Sequence, residues 1–264
     1  MVDVTSGSDA KSRDERAVQR FGTIVVVGGG CYGGYYLRQL GRAERAHALT
    51  WERLVVVDRN AGCAVTRAAD RDALPSFSLE VASWEDYFGR YLATAATEPE
   101  RHSTDAIVPS PLMPHLMAGW LLGRARERWP TRDVHAAGLE SAPAVPWQRA
   151  GADDTHYVSF AEWMCPINCI EPARCPHTRG ERTWSLPPAM QGYVESERAA
   201  GRALEGPFVF HCAHRAFGVG MLDVADVLAA DRAIAERGAR GAAAFLVGTA
   251  SHCHGAMQRI VVGA

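Results

Sequence analysis

The strongest constraint on the fold is a β-branched apolar run that ends in a cluster of glycines. Thr23-Ile-Val-Val-Val27 is followed at once by Gly28-Gly-Gly-Cys-Tyr-Gly33-Gly34. Such a run predicts a strand buried on both faces of a parallel sheet. The sequence then predicts a helix over residues 35–45 and a second buried strand, Leu54-Val-Val-Val-Asp58. The order of strand, glycine turn, helix and strand indicates a βαβ unit.

The spacing Gly28-x-Gly30-x-x-Gly33 fits the dinucleotide fingerprint. The first glycine permits the tight turn, the second lets the backbone approach a pyrophosphate, and the third lets the helix pack closely on the strand. The helix N-terminus offers free N–H groups to the phosphates. Asp58 follows Gly33 by 25 residues and would accept hydrogen bonds from a ribose. The usual interval is about 20 residues.

With this context, residues 22–110 resemble the NAD(P)-binding Rossmann superfamily. The resemblance implies a nicotinamide dinucleotide bound at Gly28, Gly30, Gly33 and Asp58. Asp58 favours NAD because a carboxylate repels a 2′-phosphate, while the adjacent Arg59 leaves NADP open. S-adenosylmethionine or FAD on a similar unit is the alternative, as is a turn that only eases packing.

The alternation of strands and helices continues along the chain. We predict further strands at 77–82, 105–110, 156–160, 208–210, 243–249 and 258–262. We predict further helices at 84–95, 114–129, 191–203 and 219–237. This pattern predicts an α/β fold: a Rossmann-like, mostly parallel sheet with helices on both faces and an irregular Cys-rich insertion.

The domain organisation predicted from these elements has three parts. Residues 1–20 form a disordered tail, 21–135 form the dinucleotide-binding half, and 136–264 form a second α/β half that contains the Cys-rich loop 163–184. Residues 131–154, rich in Ala, Pro and Gly, are expected to connect the halves. We expect the two halves to pack as one domain.

The Cys-rich loop carries Cys165, Cys169 and Cys175 with the spacing C-x₃-C-x₅-C. Closely spaced thiolates on a proline-stiffened loop are typical of zinc or iron–sulfur ligands. The spacing is neither that of paired zinc knuckles nor that of bacterial ferredoxins. Glu171, His177 and Asn168 are additional donors nearby. Redox chemistry or plain structure are the alternatives for this loop.

Two more Cys/His groups follow predicted strands: His211-Cys212-Ala-His214 and His252-Cys253-His254. Ligands of open α/β sheets bind beyond the carboxyl ends of the strands. We therefore predict one composite site that joins these groups to the cysteine loop and the glycine turn. Cys212 and Cys253 are further candidate metal ligands, although each is as readily a buried structural cysteine. The candidate proton carriers are His211, His214, His252 and His254.

Composition narrows the function classes. The formal net charge is −2, and no basic stripe with interleaved aromatics predicts nucleic-acid binding. No apolar stretch predicts a membrane span, and no apolar h-region indicates a secretory signal. We expect a cytoplasmic protein, in which seven cysteines are better explained as metal or redox groups than as disulfides.

The function predicted from these features is that of an NAD(P)-dependent oxidoreductase with a Cys-ligated zinc or iron–sulfur centre beside the cofactor. It would act on a small-molecule substrate, and pairing into a homodimer is left open. The alternatives are a non-catalytic dinucleotide, redox or metal sensor and an S-adenosylmethionine-dependent transferase.

Overall fold

The computed structural model describes residues 18–68, 73–113, 115–151, 153–163, 165–166 and 169–264. Most of the predicted tail, residues 1–17, lies outside the described residues, and so do Pro114 and the candidate donor Asn168. The first strand already begins at Gln19, within the segment predicted as tail. Among the residues that the structure describes, no helix is long and apolar enough to cross a membrane.

The described residues contain twelve strands and six helices. The strands are β1 (Gln19–Val27), β2 (Leu49–Asp58), β3 (Ser78–Val81), β4 (Ala106–Val108), β5 (Val134–Ala137), β6 (Trp147–Ala150), β7 (His156–Ser159), β8 (Glu205–His211), β9 (Ala213–Ala216), β10 (Val219–Asp223), β11 (Ala243–Ala250) and β12 (His254–Val262). The helices are α1 (Cys31–Arg45), α2 (Ala64–Arg67), α3 (Trp84–Thr97), α4 (Leu116–Arg128), α5 (Leu186–Ala199) and α6 (Val224–Gly238).

The first sheet has the strand order β3-β2-β1-β4-β10-β9. Its first four strands are parallel, and β1 pairs with both β2 and β4. β10 then pairs antiparallel with β4 and with β9. The apolar run predicted from Thr23 to Val27 lies in the centre of this sheet, where its strand is buried on both faces.

The second sheet has the order β6-β7-β12-β11-β8, with β5 pairing to β12 beside β7. Its pairings are antiparallel except that β8 runs parallel to β11. The prediction of an α/β fold is confirmed in the coarse sense of a mixed α/β protein. The prediction of one mostly parallel sheet is not confirmed, because the described strands form two mixed sheets.

Three helices lie between the two sheets. α3, α4 and α6 contribute to one apolar cluster together with Val25 and Val57 of the first sheet and Val247 and Ile260 of the second. The opposite face of the first sheet packs on α1 and α2, and the opposite face of the second packs on α5. The layers therefore alternate as helix, sheet, helix, sheet and helix, and the central helices are shared.

Several predicted elements differ from the observed ones. The helix expected to begin at residue 219 begins at Val224, and residues 219–223 form β10 instead. Met221 and Leu222 are buried in different clusters on opposite faces, which is the two-residue period of a strand. Residues 131–154, expected to be only a connection, contain β5 and β6.

Candidate functional site

Four cysteines from two separate segments line one small cavity. Cys165, Cys169 and Cys175 come from the predicted loop, and Cys253 comes from the turn between β11 and β12. The cavity has a volume of about 20 Å³, which is room for about one water molecule or ion. The loop and one of the two distant Cys/His groups thus meet, as the composite-site hypothesis requires.

An N–H group donates to the sulfur of Cys253, and N–H groups also act on the thiols of Cys175 and Cys165. The indole Nε1–H of Trp184 donates to Cys253 Sγ over 3.3 Å. The backbone N–H of Thr178 lowers the pKa of the Cys175 thiol by donating to its sulfur; burial opposes this effect, and the N–H of His177 adds to it. Hydrogen bonds of this kind stabilise a thiolate and tune metal–thiolate centres.

Burial dominates at Cys165 and Cys253 and raises the pKa of both thiols. It raises the pKa of Cys165, and the neighbouring Cys169 raises it further. It also raises the pKa of Cys253 to about 12, although the Trp184 hydrogen bond works against this rise. These two thiols are therefore protonated at neutral pH unless a cation displaces their protons.

The donor set fits a soft metal, because four thiolates are the ligands of Cys₄ zinc sites and of iron–sulfur clusters. Within the described residues, no three His, Cys, Asp or Glu side chains are already arranged to hold a metal ion. The four sulfurs would therefore have to rearrange to hold either a zinc ion or a cluster.

Glu171 connects the cysteine loop to the other two Cys/His groups. Its carboxylate accepts hydrogen bonds from Ser251 Oγ at 2.6 Å, from His252 N at 2.8 Å and from Cys253 N at 3.1 Å. Its Oε2 also lies 3.9 Å from His214 Nε2. Glu171 therefore touches the turn after β11 and the strand β9 at once.

Glu171 is also buried and conformationally unusual. Burial alone would raise its pKa, but the hydrogen bonds from Ser251 and His252 outweigh burial and lower the pKa, so the carboxyl is ionised. Its φ of 48° lies in the left-handed region, which is uncommon for residues other than glycine. Sequence reasoning named Glu171 only as a nearby donor; an acidic residue between spaced cysteines was the available signal.

The four histidines predicted as proton carriers occupy different surroundings. The rings of His211 and His252 pack at a centroid distance of 4.9 Å, and burial lowers the pKa of both. His252 Nδ1 lies 2.8 Å from Ser185 Oγ. His214 donates from Nδ1 to the carbonyl of Gly218, so its Nε2 faces Glu171. His254 Nδ1 lies 3.0 Å from Ser159 Oγ, on the side of β7.

The remaining cysteines stand apart from the cavity. Cys212, predicted as a metal ligand, packs against the cluster between the sheets, and burial raises its pKa to about 12. Cys31 is exposed at the start of α1, and Cys63 is buried against the glycine turn. Cys253 is thus the distant cysteine that lies beside the loop.

The glycine turn has the backbone geometry that the fingerprint requires. Gly28 adopts φ 88°, and a Cβ on Gly33 would lie 2.0 Å from the carbonyl oxygen of Gly28. A Cβ on Gly30 would meet nothing within 4 Å, so the space beside that residue is open. Asp58 Oδ2 accepts a hydrogen bond from Gly29 N at 2.7 Å, which fixes the carboxylate beside the turn.

The cysteine cavity has neighbours other than the glycine turn. His115, in the segment after β4, lies 3.3 Å from Thr249 at the end of β11, so these two strand ends are adjacent. On its other side the cavity adjoins His214, which contacts Glu171 and also lines a groove beside Gln19. Gln19 begins β1 and Val27 ends it, roughly 26 Å away at about 3.3 Å per residue. That the cavity opens toward a bound dinucleotide stays a prediction.

Arginine side chains near the cysteines donate hydrogen bonds to backbone carbonyls of the loop. Arg174 Nε donates to the carbonyl of Arg179, and Arg182 donates from Nε to Pro172 and from Nη1 to Trp184. Trp163 stacks on His177 at 4.4 Å, over the same loop. These contacts stabilise the loop that presents the cysteines.

Comparison with protein families gives one match. Residues 117–263 match the model of a family described as "Uncharacterized protein, C-terminal domain", and the chain belongs to this family. The matched segment contains the cysteine loop and both Cys/His groups, and it begins after the glycine turn. Comparisons with curated proteins and with solved structures give no match.

Proposed function

We propose that the protein is an NAD(P)-dependent oxidoreductase with a zinc or iron–sulfur centre held by Cys165, Cys169, Cys175 and Cys253. The observation that carries this proposal is the single cavity lined by four thiols from two distant segments. The proposal is supported by the Trp184 N–H that donates to Cys253 Sγ and by the N–H groups that lower the pKa of Cys175, because such donors stabilise thiolates.

The protein groups around the cavity suit redox or acid–base chemistry. A zinc ion bound by three of the thiolates would keep an open position and could polarise a carbonyl, whereas one bound by all four would only stabilise the loop. An iron–sulfur cluster would carry electrons. Glu171 supplies a fixed negative charge and positions the turn that bears His252 and Cys253. His211, His214, His252 and His254 are the candidate proton carriers, and His254 lies on the side of β7, beside Ser159.

The parallel strands β3-β2-β1-β4 support the dinucleotide half of the proposal. This is the first part of the strand order of Rossmann folds, in which the pyrophosphate binds at the turn after the first strand. No side chain caps the N-terminus of α1 at Gly30, so backbone N–H groups remain for an anion. Asp58 accepts from Gly29 and Asn60 and still has lone pairs for ribose hydroxyls.

Anaerobic purification with zinc, iron and sulfide analysis and a visible spectrum tests the metal centre. We expect either a coloured protein with iron and sulfide or a colourless protein with zinc. Cys165→Ser should lower the metal content, and the matched control Cys31→Ser should leave it unchanged because Cys31 is exposed and outside the cavity. Metal-free protein whose stability is insensitive to Cys165→Ser would contradict the proposal.

Gly30→Ala tests the dinucleotide site without a packing penalty. The added methyl group meets no atom of the protein within 4 Å, so stability should change by less than about 1 kcal/mol. NAD(H) affinity, measured by calorimetric titration, should fall about tenfold because the methyl occupies the space of the pyrophosphate. Unchanged affinity would remove the glycine turn from the proposal, and NAD(H) binding without turnover would identify a sensor.

A further inference from the structure

A polar groove lies on the side of His214 away from the cysteine cavity. It has a volume of about 640 Å³, within the usual range of small-molecule sites. The start of β1, the segment before β4, and the strands β9 and β10 form its walls. The lining residues used below are Gln19, Arg20, Thr104, His214, Arg215 and Asp223.

The groove presents donors that the protein leaves unused. Arg20 is exposed and forms no ion pair with any other residue that the structure describes. Arg215 pairs through Nη2 with Asp223, but its buried Nε has no hydrogen-bond partner in the described part of the chain. Because this Nε is itself buried, an anion in the groove would contact the exposed part of the Arg215 side chain, 26% of its surface, rather than Nε.

The hydroxyl of Thr104 adds a third donor. Its oxygen accepts a hydrogen bond from Gly22 N at 3.1 Å, which leaves the hydroxyl proton to donate into the groove. Guanidinium groups and hydroxyls together bind carboxylate and phosphate oxygens, because the planar N–H fork of arginine matches their geometry. The carboxylate of Asp223 on the same wall disfavours large polyanions.

His214 separates this groove from the cysteine cavity. The histidine lines the groove, its Nε2 lies 3.9 Å from Glu171 Oε2, and Glu171 lines the cavity. Two side chains therefore span the distance between the groove and the thiols. A ligand held at Arg20 and Arg215 would place its other end beside His214.

We propose that this groove binds a small anionic ligand through a carboxylate or phosphate group, held by Arg20, Arg215 and Thr104, with His214 at its inner end. This proposal does not rest on the proposed oxidoreductase function. The site lies at the end of β1 opposite the glycine turn, so it is distinct from the pyrophosphate site predicted there.

Calorimetric titration of the full-length protein with inorganic phosphate and with malonate tests the site. We expect saturable one-to-one binding that weakens with salt, with the tighter probe indicating whether the natural ligand carries a phosphate or a carboxylate. Arg20→Ala should weaken binding about tenfold. Its matched control is Arg53→Ala, an exposed arginine on β2 outside the groove, which should bind as the wild type does.

Two further results separate the groove from the glycine turn. Gly30→Ala should retain anion binding, and the imidazole resonances of His214 should shift on phosphate addition in the wild type but not in Arg20→Ala. Binding that survives Arg20→Ala and is lost in Gly30→Ala would overturn the proposal, and so would the absence of saturable binding of both probes. These outcomes do not depend on metal content or NAD(H) turnover, which test the proposed function.

Discussion

At the scale of single residues, Glu171 shows how one buried charge can assemble a site. Its carboxylate is the common acceptor for the hydroxyl of Ser251 and two backbone N–H groups of the next turn. Three donors on one carboxylate stabilise the charge and fix the cysteine loop against the end of β11. The strained φ of Glu171 is held by these contacts rather than by local preference.

We therefore expect Glu171→Gln to destabilise the fold by about 1–3 kcal/mol. The glutamine keeps the shape but replaces one acceptor oxygen with an NH₂ group, which faces donors that it cannot pair. Urea unfolding measures the change. Glu162→Gln, at an exposed residue of the segment that leads into the loop, is the matched control and should have little effect. Equal effects of the two substitutions would show that the Glu171 contacts do not hold the loop.

Residue types and spacing were enough to predict that the three loop cysteines group together, but not which distant cysteine lies beside them. Cys212 and Cys253 have similar histidine neighbours in the sequence, yet Cys253 faces the cavity and Cys212 packs between the sheets. The difference arises because Cys212 lies between β8 and β9, and Cys253 lies in the turn between β11 and β12. The pairing of the strands therefore decides which of the two cysteines reaches the cavity.

At the scale of elements, the C-terminal end of α5 depends on an ion pair whose carboxylate is buried and whose guanidinium is partly exposed. Glu197 is 1% exposed; it accepts hydrogen bonds from Arg202 Nε at 2.7 Å and Nη2 at 2.6 Å and from Ser141 Oγ at 2.6 Å. Arg202 is the main cause that lowers the pKa of Glu197, and burial opposes it. The contacts join α5 to the segment between β5 and β6.

A folded-state pKa below the unfolded value adds stability above the unfolded pKa and loses it as pH falls through the folded pKa. We therefore expect Glu197→Gln to cost about 1.5–3 kcal/mol at neutral pH, because its bonds are charge-assisted. The difference in unfolding free energy between the variant and the wild type should narrow below about pH 4.3, the ordinary pKa of glutamate. Unfolding free energies measured between pH 3 and pH 7 on both proteins check this. A gap that stays constant over this range would contradict the role of the charge.

Long apolar runs were predictable at this scale, and so were the short strands β3 and β7, whereas β5, β6, β9 and β10 were not. The runs in β1 and β2 are strongly β-branched and the run in β11 is largely apolar, so the existence of these three strands follows from their own sequences. β6 has four residues, and its residues are exposed or half-buried. β6 forms because it pairs with β7, and its own sequence carries no strong strand signal.

The packing of α4 against α6 gives another test at the element scale. A Cβ on Gly238, at the end of α6, would lie 2.3 Å from Cη2 of Trp129, the residue that follows α4. Arg128 Nη2 donates to both oxygens of Asp231 at 2.9 Å in the same interface. We expect Gly238→Ala to destabilise the protein by about 1–3 kcal/mol through overpacking. Thermal unfolding measures this, and Gly123→Ala on α4, where a Cβ meets nothing within 4 Å, is the matched control.

At the scale of the whole molecule, the shared helices join the two sheets into one core. The apolar cluster between the sheets contains residues of β1, β2, β8, β11 and β12 and of three helices. Removing either sheet would expose the face of α3, α4 and α6 that it covers, and the cost of exposing apolar surface scales with its area. The boundary predicted at residue 135 therefore does not mark an independent folding unit in this packing, and we expect the halves to unfold together.

Calorimetry tests this expectation directly. A single transition with equal calorimetric and van't Hoff enthalpies is expected for one cooperative unit. Leu121→Ala, in the fully buried centre of α4, should lower stability by about 2–5 kcal/mol and move the whole transition. Amide exchange should then accelerate in Val26 of the first sheet and in Leu246 of the second by similar factors, because both amides open only with the common core. Two separate transitions, or faster exchange in one sheet alone, would show that the sheets unfold independently in spite of the helices they share.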